Sequence, residues 1–356
     1  MGHTAFTLGD LTVAAGTRAF TRLPVAPLLL GATLSLPVHV VHGRYPGPVL
    51  GLLSGVHGAE YLPVRCLREA VLQINPDELH GTVLALPVAN PVAFMQDSRI
   101  TLEDDIDFGN LNRVFPGFRR KAVFGSGTAD PTDHTLTEMM AQVITRNFFP
   151  HLNHLLDFHT HFRQVSVVKI IQKAGADSQL DEVSRGMCRA FGLGLIHESA
   201  AGSNTATGYA AELGISTCVP EVGGTALTES FQKRCVETCV RGIFNVMHYL
   251  EMLPGALQLP RRQLVFRRVP HIRPTVAGYL VTRYDPERLL GEGEPGVELK
   301  AGDALGTIFD PHTFEELETL RAPIDGVLYM TRRSGPIEAG GHAYALADFE
   351  GAAWIE

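Results

Sequence analysis

The sequence predicts an α/β protein: a sheet covered by helices on both faces, followed by an all-β segment. Three observations predict it. Short apolar runs alternate with longer segments whose apolar residues fall at helical spacing, which is how a helix-flanked sheet reads. The character changes near Pro254-Gly255 and Pro260-Arg261-Arg262, after which glycine and proline recur between short apolar runs, as an all-β region requires. Finally, 356 residues, 45% of them hydrophobic, can bury a core large enough for two domains, placed at residues 1–255 and 256–356.

Taken in order, residues 38–41 and 48–54 read as strands, 62–74 as a helix and 82–88 as a strand. A helix over 136–149 has a cap available in Asp133 or Thr135. Strands at 154–159 and 165–171 precede a helix over 178–191. Further strands at 194–197 and 215–219 lead to a long helix over 228–250.

Thirty basic residues against 38 acidic ones give a formal charge of −8 with no lysine/arginine cluster, which argues against a nucleic-acid partner. Five cysteines without a Cys-x-x-Cys pair suggest no disulfide framework and fit a reducing cytoplasm. Cys235 and Cys239, four apart on a predicted helix, read as packing residues. The N-terminus starts no charged-then-apolar signal segment. Phe6 stands where an acylation motif at Gly2 would need serine or threonine. The apolar run 23–36 is interrupted by Pro24, Pro27 and Gly31, so no membrane span is expected. The sequence sets no oligomeric state and leaves a homo-oligomer open.

The most informative stretch is Leu52-Leu53-Ser54-Gly55-Val56-His57-Gly58-Ala59-Glu60. A buried strand ends in glycine and then presents an imidazole and a carboxylate three positions apart, a spacing that lets both grip one cation. Zinc takes such mixed ligation, and a catalytic zinc keeps a position for water. The third ligand expected is His159, in Leu155-Leu156-Asp157-Phe158-His159-Thr160-His161, with His161 as rival because i and i+2 of a strand face the same way. His151 and His154 are assigned to the surface. A base for the water is expected in Glu221, at the tip of the apolar segment Ile215-Ser216-Thr217-Cys218-Val219-Pro220; Glu198 and Glu212 are weaker rivals. Between the two metal segments, the Arg113 guanidinium offers two parallel hydrogen bonds to a carboxylate, and the Asn112 amide adds a donor. Arg99 supplies a second cation, unless an internal salt bridge with the acidic residues around it (Asp97, Glu103, Asp104, Asp105, Asp107) claims it.

Four segments carry a family resemblance: Gly55-Val56-His57-Gly58-Ala59-Glu60, Pro87-Val88-Ala89-Asn90-Pro91, Asn110-Leu111-Asn112-Arg113-Val114-Phe115-Pro116-Gly117 and Asp157-Phe158-His159-Thr160. In these the chain resembles the succinylglutamate desuccinylase/aspartoacylase family, relatives of the zinc carboxypeptidases. The resemblance implies a zinc carboxypeptidase-like mixed sheet flanked by helices, with a C-terminal all-β domain. It implies one zinc ion per chain held by His57, Glu60 and His159, and Glu221 as the residue that activates water. It implies a substrate carboxylate bound by Asn112 and Arg113 with help from Arg99. The expected substrate is a small N-acylated amino acid or related amine bearing a carboxylate. Phe158 stands where family members commonly carry leucine, and Pro220-Glu221-Val222-Gly223-Gly224 matches the family more loosely than the metal segments do.

Segments Glu298-Leu299-Lys300-Ala301-Gly302-Asp303 and Ala322-Pro323-Ile324-Asp325-Gly326-Val327-Leu328 resemble the barrel-sandwich of biotinyl and lipoyl carriers. No lysine follows Lys300, so no attachment lysine stands at a hairpin tip there. The family resemblance implies instead that this β-domain lies against the catalytic domain and narrows its entrance. Two other readings remain at this level. A metallocarboxypeptidase acting on peptides would use the same ligands, base and clamp, and a catalytically silent binding protein could share the scaffold.

Overall fold

In a computed structural model, residues 3–28, 31–101, 108–117, 134–161, 164–172, 178–199, 202–224, 227–289 and 296–356 are described. The first strands, β1 (Phe6–Leu8) and β2 (Leu11–Val13), make a small hairpin. A longer antiparallel pair follows, β3 (Thr17–Pro27) and β4 (Thr33–His42). Of the proline-interrupted run 23–36, residues 23–27 therefore lie in β3 and 33–36 in β4. This is tolerated because β3 ends the strand order of its sheet, where a missing N–H breaks no interior ladder, and the register slips between Pro24 and Ala26.

The parallel centre is built from β5 (Tyr45–Leu53), β6 (His80–Leu86), β7 (His154–Asp157) and β11 (Ser216–Gly224), in the order β11-β7-β5-β6. Antiparallel strands flank it: β4 joins β6, and β9 (Gln164–Gln172) joins β11. The fold is thus mixed α/β.

Helices cover both faces. Neighbouring core residues alternate between them. Leu52 and Leu156 share one apolar cluster with α1 (Leu62–Gln73), α4 (Ser178–Phe191) and α6 (Glu229–Tyr249). Leu53 and Leu155 share the other with α3 (Leu136–Asn147) and α5 (Ala206–Glu212). Adjacent strand residues point to opposite faces, so two clusters mean two helical layers. The helix α3 is capped by Thr135, whose hydroxyl accepts from Glu138 N while the Glu138 carboxylate accepts from Thr135 N. Asp133, the other cap considered, lies outside the described residues. All five cysteines are buried thiols; Cys66, Cys235 and Cys239 pack in the first cluster, and burial pushes Cys235 up to about 12.

From residue 256 on, every regular element of more than three residues among the described ones is a strand. Here β12 (Gln263–Phe266) pairs with β10 (Leu195–Glu198), and β18 (Gly326–Arg332) pairs with β9, so these strands extend the large sheet. Four others form a separate antiparallel sheet: β14 (Gly278–Thr282), β16 (Ala304–Phe309), β17 (Glu316–Arg321) and β19 (Gly335–Ile337). No helix among the described residues is long and apolar enough to cross a membrane.

Two expectations are corrected. His154 is not a surface residue: its Nδ1 lies 2.6 Å from Ser216 Oγ, and burial pushes its pKa down to about 4. His151 is half-buried, its ring 5.4 Å from that of Phe6, and burial lowers its pKa too. These contacts, of His151 with Phe6 and of His154 with Ser216, reach across the chain, and the local sequence does not record them.

Candidate active site

Parallel strands deliver their functional side chains at their carboxyl ends, where an open α/β sheet has its crevice. The register aligns those ends: Leu53 of β5 pairs with Asp157 of β7, and Glu221 of β11 pairs with His159 of β8 (His159–His161). The chain leaves β5 through Gly55 at φ +65°, with Pro87 O only 2.9 Å from where a Cβ would stand. That left-handed, crowded turn suits glycine and aims His57 and Glu60 back over the strand ends.

There the three expected ligands meet. His57 Nδ1 lies 2.9 Å from Glu60 Oε1, and His159 Nδ1 lies 2.9 Å from Glu60 Oε2. One donor atom from each residue falls within 4.8 Å of the others, and all three side chains are buried. Arg99 Nη1 donates to Glu60 Oε1 at 2.7 Å, and Thr160 N donates to Oε2 at 3.2 Å.

The electrostatics of this cluster are those of a site built around positive charge. Burial opposes ionisation of Glu60, yet His57 and His159 outweigh it and hold the carboxyl well below its usual range. Burial also opposes a charged His159, but Asp157 and Glu60 raise it well above an ordinary histidine. His57, by contrast, is lowered by burial. A cation bound here would take the place of the His159 proton.

The donor set fits a divalent metal. Two imidazoles and a carboxylate are borderline ligands of the kind zinc accepts, and tetrahedral bonds near 2.1 Å would separate ligand atoms by roughly 3.4 Å. Four polar atoms of the same cavity are buried without a hydrogen-bond partner among the described residues: His57 Nε2, Asp157 Oδ1, Thr160 Oγ1 and Glu221 Oε2. So dense a group of unsatisfied atoms is what a site awaiting ligands looks like.

The cavity measures about 240 Å³ and brings together His57, Glu60, His159, Arg99, Asn112, Arg113 and Glu221. All seven sequence-predicted site residues line one hollow. Arg113 sits on a short 3-10 turn, Leu111–Arg113, anchored by the buried Leu111. Asn112 Oδ1 accepts from Ala206 N at 2.9 Å, which leaves its amide NH2 as the donor available to a ligand. The exposed Arg113 donates to Asn112 O at 2.7 Å. Arg99 is indeed engaged in a salt bridge, but with Glu60; Glu103, Asp104, Asp105 and Asp107 lie outside the described residues.

The family description "Succinylglutamate desuccinylase/Aspartoacylase catalytic domain" matches residues 46–250, more than half of the chain and every residue of this cavity. The chain belongs to the succinylglutamate desuccinylase/aspartoacylase family. It is 24% identical over 342 residues to the N-alpha-acetyl-L-2,4-diaminobutyric acid deacetylase of Halomonas elongata, covering 92% of this chain and 90% of that one. Its fold is shared with a succinylglutamate desuccinylase/aspartoacylase from Rhodobacter sphaeroides, at TM-score 0.75, 22% identity and 94% and 96% coverage. The product-bound ectoine utilization protein EutE (DoeB) of Ruegeria pomeroyi is similar at TM-score 0.74 and 23% identity, covering 93% and 95%.

For this family member, Glu198 and Glu212 fall outside the cavity, while His161 lines it. Glu198 is taken by Arg267, with Nη2 at 2.8 Å and Nε at 2.9 Å, and Glu212 is exposed at the end of α5. His161 lies outside the triad, with Nε2 3.6 Å from Glu221 Oε2. Sequence reasoning missed Asp157, whose Oδ2 lies 3.3 Å from His159 Nε2 and orients that ring. A signal was present, an acid inside an apolar run two residues from the histidine. It also missed Ser199, Gly202, Thr205 and Thr207, which line the cavity beside α5. That helix has seven residues, too few to show a period.

Proposed function

We propose that the chain is a zinc-dependent deacylase that hydrolyses the amide joining an acyl group to an amino acid or related small amine bearing a carboxylate. The observation that carries this reading is the convergence of the buried His57–Glu60–His159 cluster, Glu221 and the Arg99/Asn112/Arg113 rim on one small cavity. Family membership and the Halomonas elongata deacetylase, which the chain covers almost end to end, support the same class of reaction.

His57, Glu60 and His159 would hold the zinc, with Asp157 fixing the His159 ring. A zinc in that position supplies Lewis acidity, polarising the amide carbonyl and bringing the pKa of a water towards about 7. Arg113 and the Asn112 amide bind the substrate carboxylate and fix the amide over the cavity floor. Glu221 takes the proton from the attacking water and passes it to the departing nitrogen. Such fixed positioning contributes on the order of 7–11 kcal/mol in favourable model reactions. A cavity of about 240 Å³ suits a small acylated substrate.

A panel of N-acetyl and N-succinyl amino acids, N-acetyl diamino acids and short peptides, offered to the zinc-loaded protein with free amine as readout, tests the reading. Release from the acylated amino acids is expected. Release from the peptides alone would replace the deacylase by a metallocarboxypeptidase.

A further inference from the structure

His159 and His161 leave β8 on the same side, two residues apart, but they face different acids. His159 Nδ1 meets Glu60; His161 Nε2 stands 3.6 Å from Glu221 Oε2. The ladder pairs Glu221 with His159, and both line the cavity together with His161. After Glu221 the register shifts, so that Gly224 is the residue opposite His161. Gly223, inside the shift, has φ +84°, and a Cβ there would come 2.6 Å from Leu62 Cδ2. Here Glu221 stays out of the triad's cluster of ligand atoms, with its buried Oε2 lacking a hydrogen-bond partner among the described residues.

We infer that His161 is the positioning residue of Glu221: its ring N–H holds Oε2 over the cavity and away from the metal position. The inference rests on the reading of Glu221 as the base. An unheld carboxylate so near a divalent ion is itself a ligand, and would fill the position that a catalytic zinc keeps for water. A hydrogen bond to His161 gives the carboxylate a competing partner and keeps it as a base. Closing the 3.6 Å separation to hydrogen-bond length would complete that contact, since catalytic hydrogen bonds often tighten only in the complex with substrate.

The test compares wild type, His161→Ala, His161→Gln, Glu221→Gln and the His161→Ala/Glu221→Gln pair, zinc-loaded for kinetics on an N-acetyl amino acid and cobalt-loaded for visible spectra. His161→Ala should lower kcat on the order of 10–100-fold with KM unchanged, and His161→Gln, which keeps an N–H donor, should recover much of it. The cobalt spectrum of His161→Ala should change as Glu221 enters the coordination shell, and adding Glu221→Gln should restore the wild-type spectrum. An unchanged kcat in His161→Ala, or a cobalt spectrum identical to wild type, overturns the inference. Full activity of Glu221→Gln removes the base and the inference together, a separate failure. The spectra decide even if no acylated amino acid is turned over.

Discussion

The floor and the rim of the cavity are built from opposite materials. On the floor, His57, Glu60 and His159 are at most 6% exposed and hang from strand ends whose registers are locked by two apolar layers. On the rim, the Arg99 side chain is 45% exposed, and Arg113 projects from a single 3-10 turn. Buried charges this close are costly unless they are paired, which the triad achieves by mutual contact and a cation would achieve better. Exposed arginines cost little and adapt to the ligand that arrives. Under the proposed function, the floor sets the chemistry and the rim gathers substrate.

If that division holds, floor and rim variants change different kinetic constants. The largest effect is expected from Glu221→Gln, which should retain zinc yet lose about 10²–10⁴-fold in kcat, the usual worth of a general base; metal analysis beside steady-state rates checks both halves. Asp157→Asn should weaken zinc binding about 10–100-fold by loosening the His159 ring, measured by competition with a chelator. Arg113→Ala should raise KM roughly tenfold or more for carboxylate-bearing substrates, at about 1.5–3 kcal/mol for charged hydrogen bonds, and spare analogues lacking the carboxylate. A large fall in kcat with unchanged KM in that variant would erase the boundary between floor and rim.

The smallest effect lies away from the cavity. His154 titrates at about 4 when folded and near 6.5 when unfolded, so the unfolded chain takes up the proton first. Stability should fall as pH drops from 6.5 towards 4, with a slope of at most about 1.4 kcal/mol per pH unit from this group. His154→Gln should flatten that slope in urea titrations while leaving turnover at neutral pH unaltered.

The same division explains what the sequence made legible. The triad could be read because a strand end followed by His-x-x-Glu is a local pattern, and because β7 announces His159 with an apolar run. The major helices were readable for the same reason: α4 spans the expected residues, and α1, α3 and α6 end within two residues of expectation. What could not be read depends on contacts across the fold. The prolines of residues 23–36 signalled a break, but β3 absorbs them at its sheet's edge. Ser199 and Thr207 line the cavity beside Asn112, whose Oδ1 accepts from Ala206 N at the start of α5, a contact that no local segment records. The register shift between Glu221 and Gly224 is a property of two paired strands, and no single segment carries it.

Zinc content per chain, with and without Glu60→Ala, tests the central claim most directly, because Glu60 is the carboxylate both histidines contact. Wild type dialysed against trace zinc should retain one equivalent per chain, and the variant, still folded by circular dichroism, should retain essentially none. A variant that keeps zinc as wild type does, or a wild type that binds none, would contradict the account.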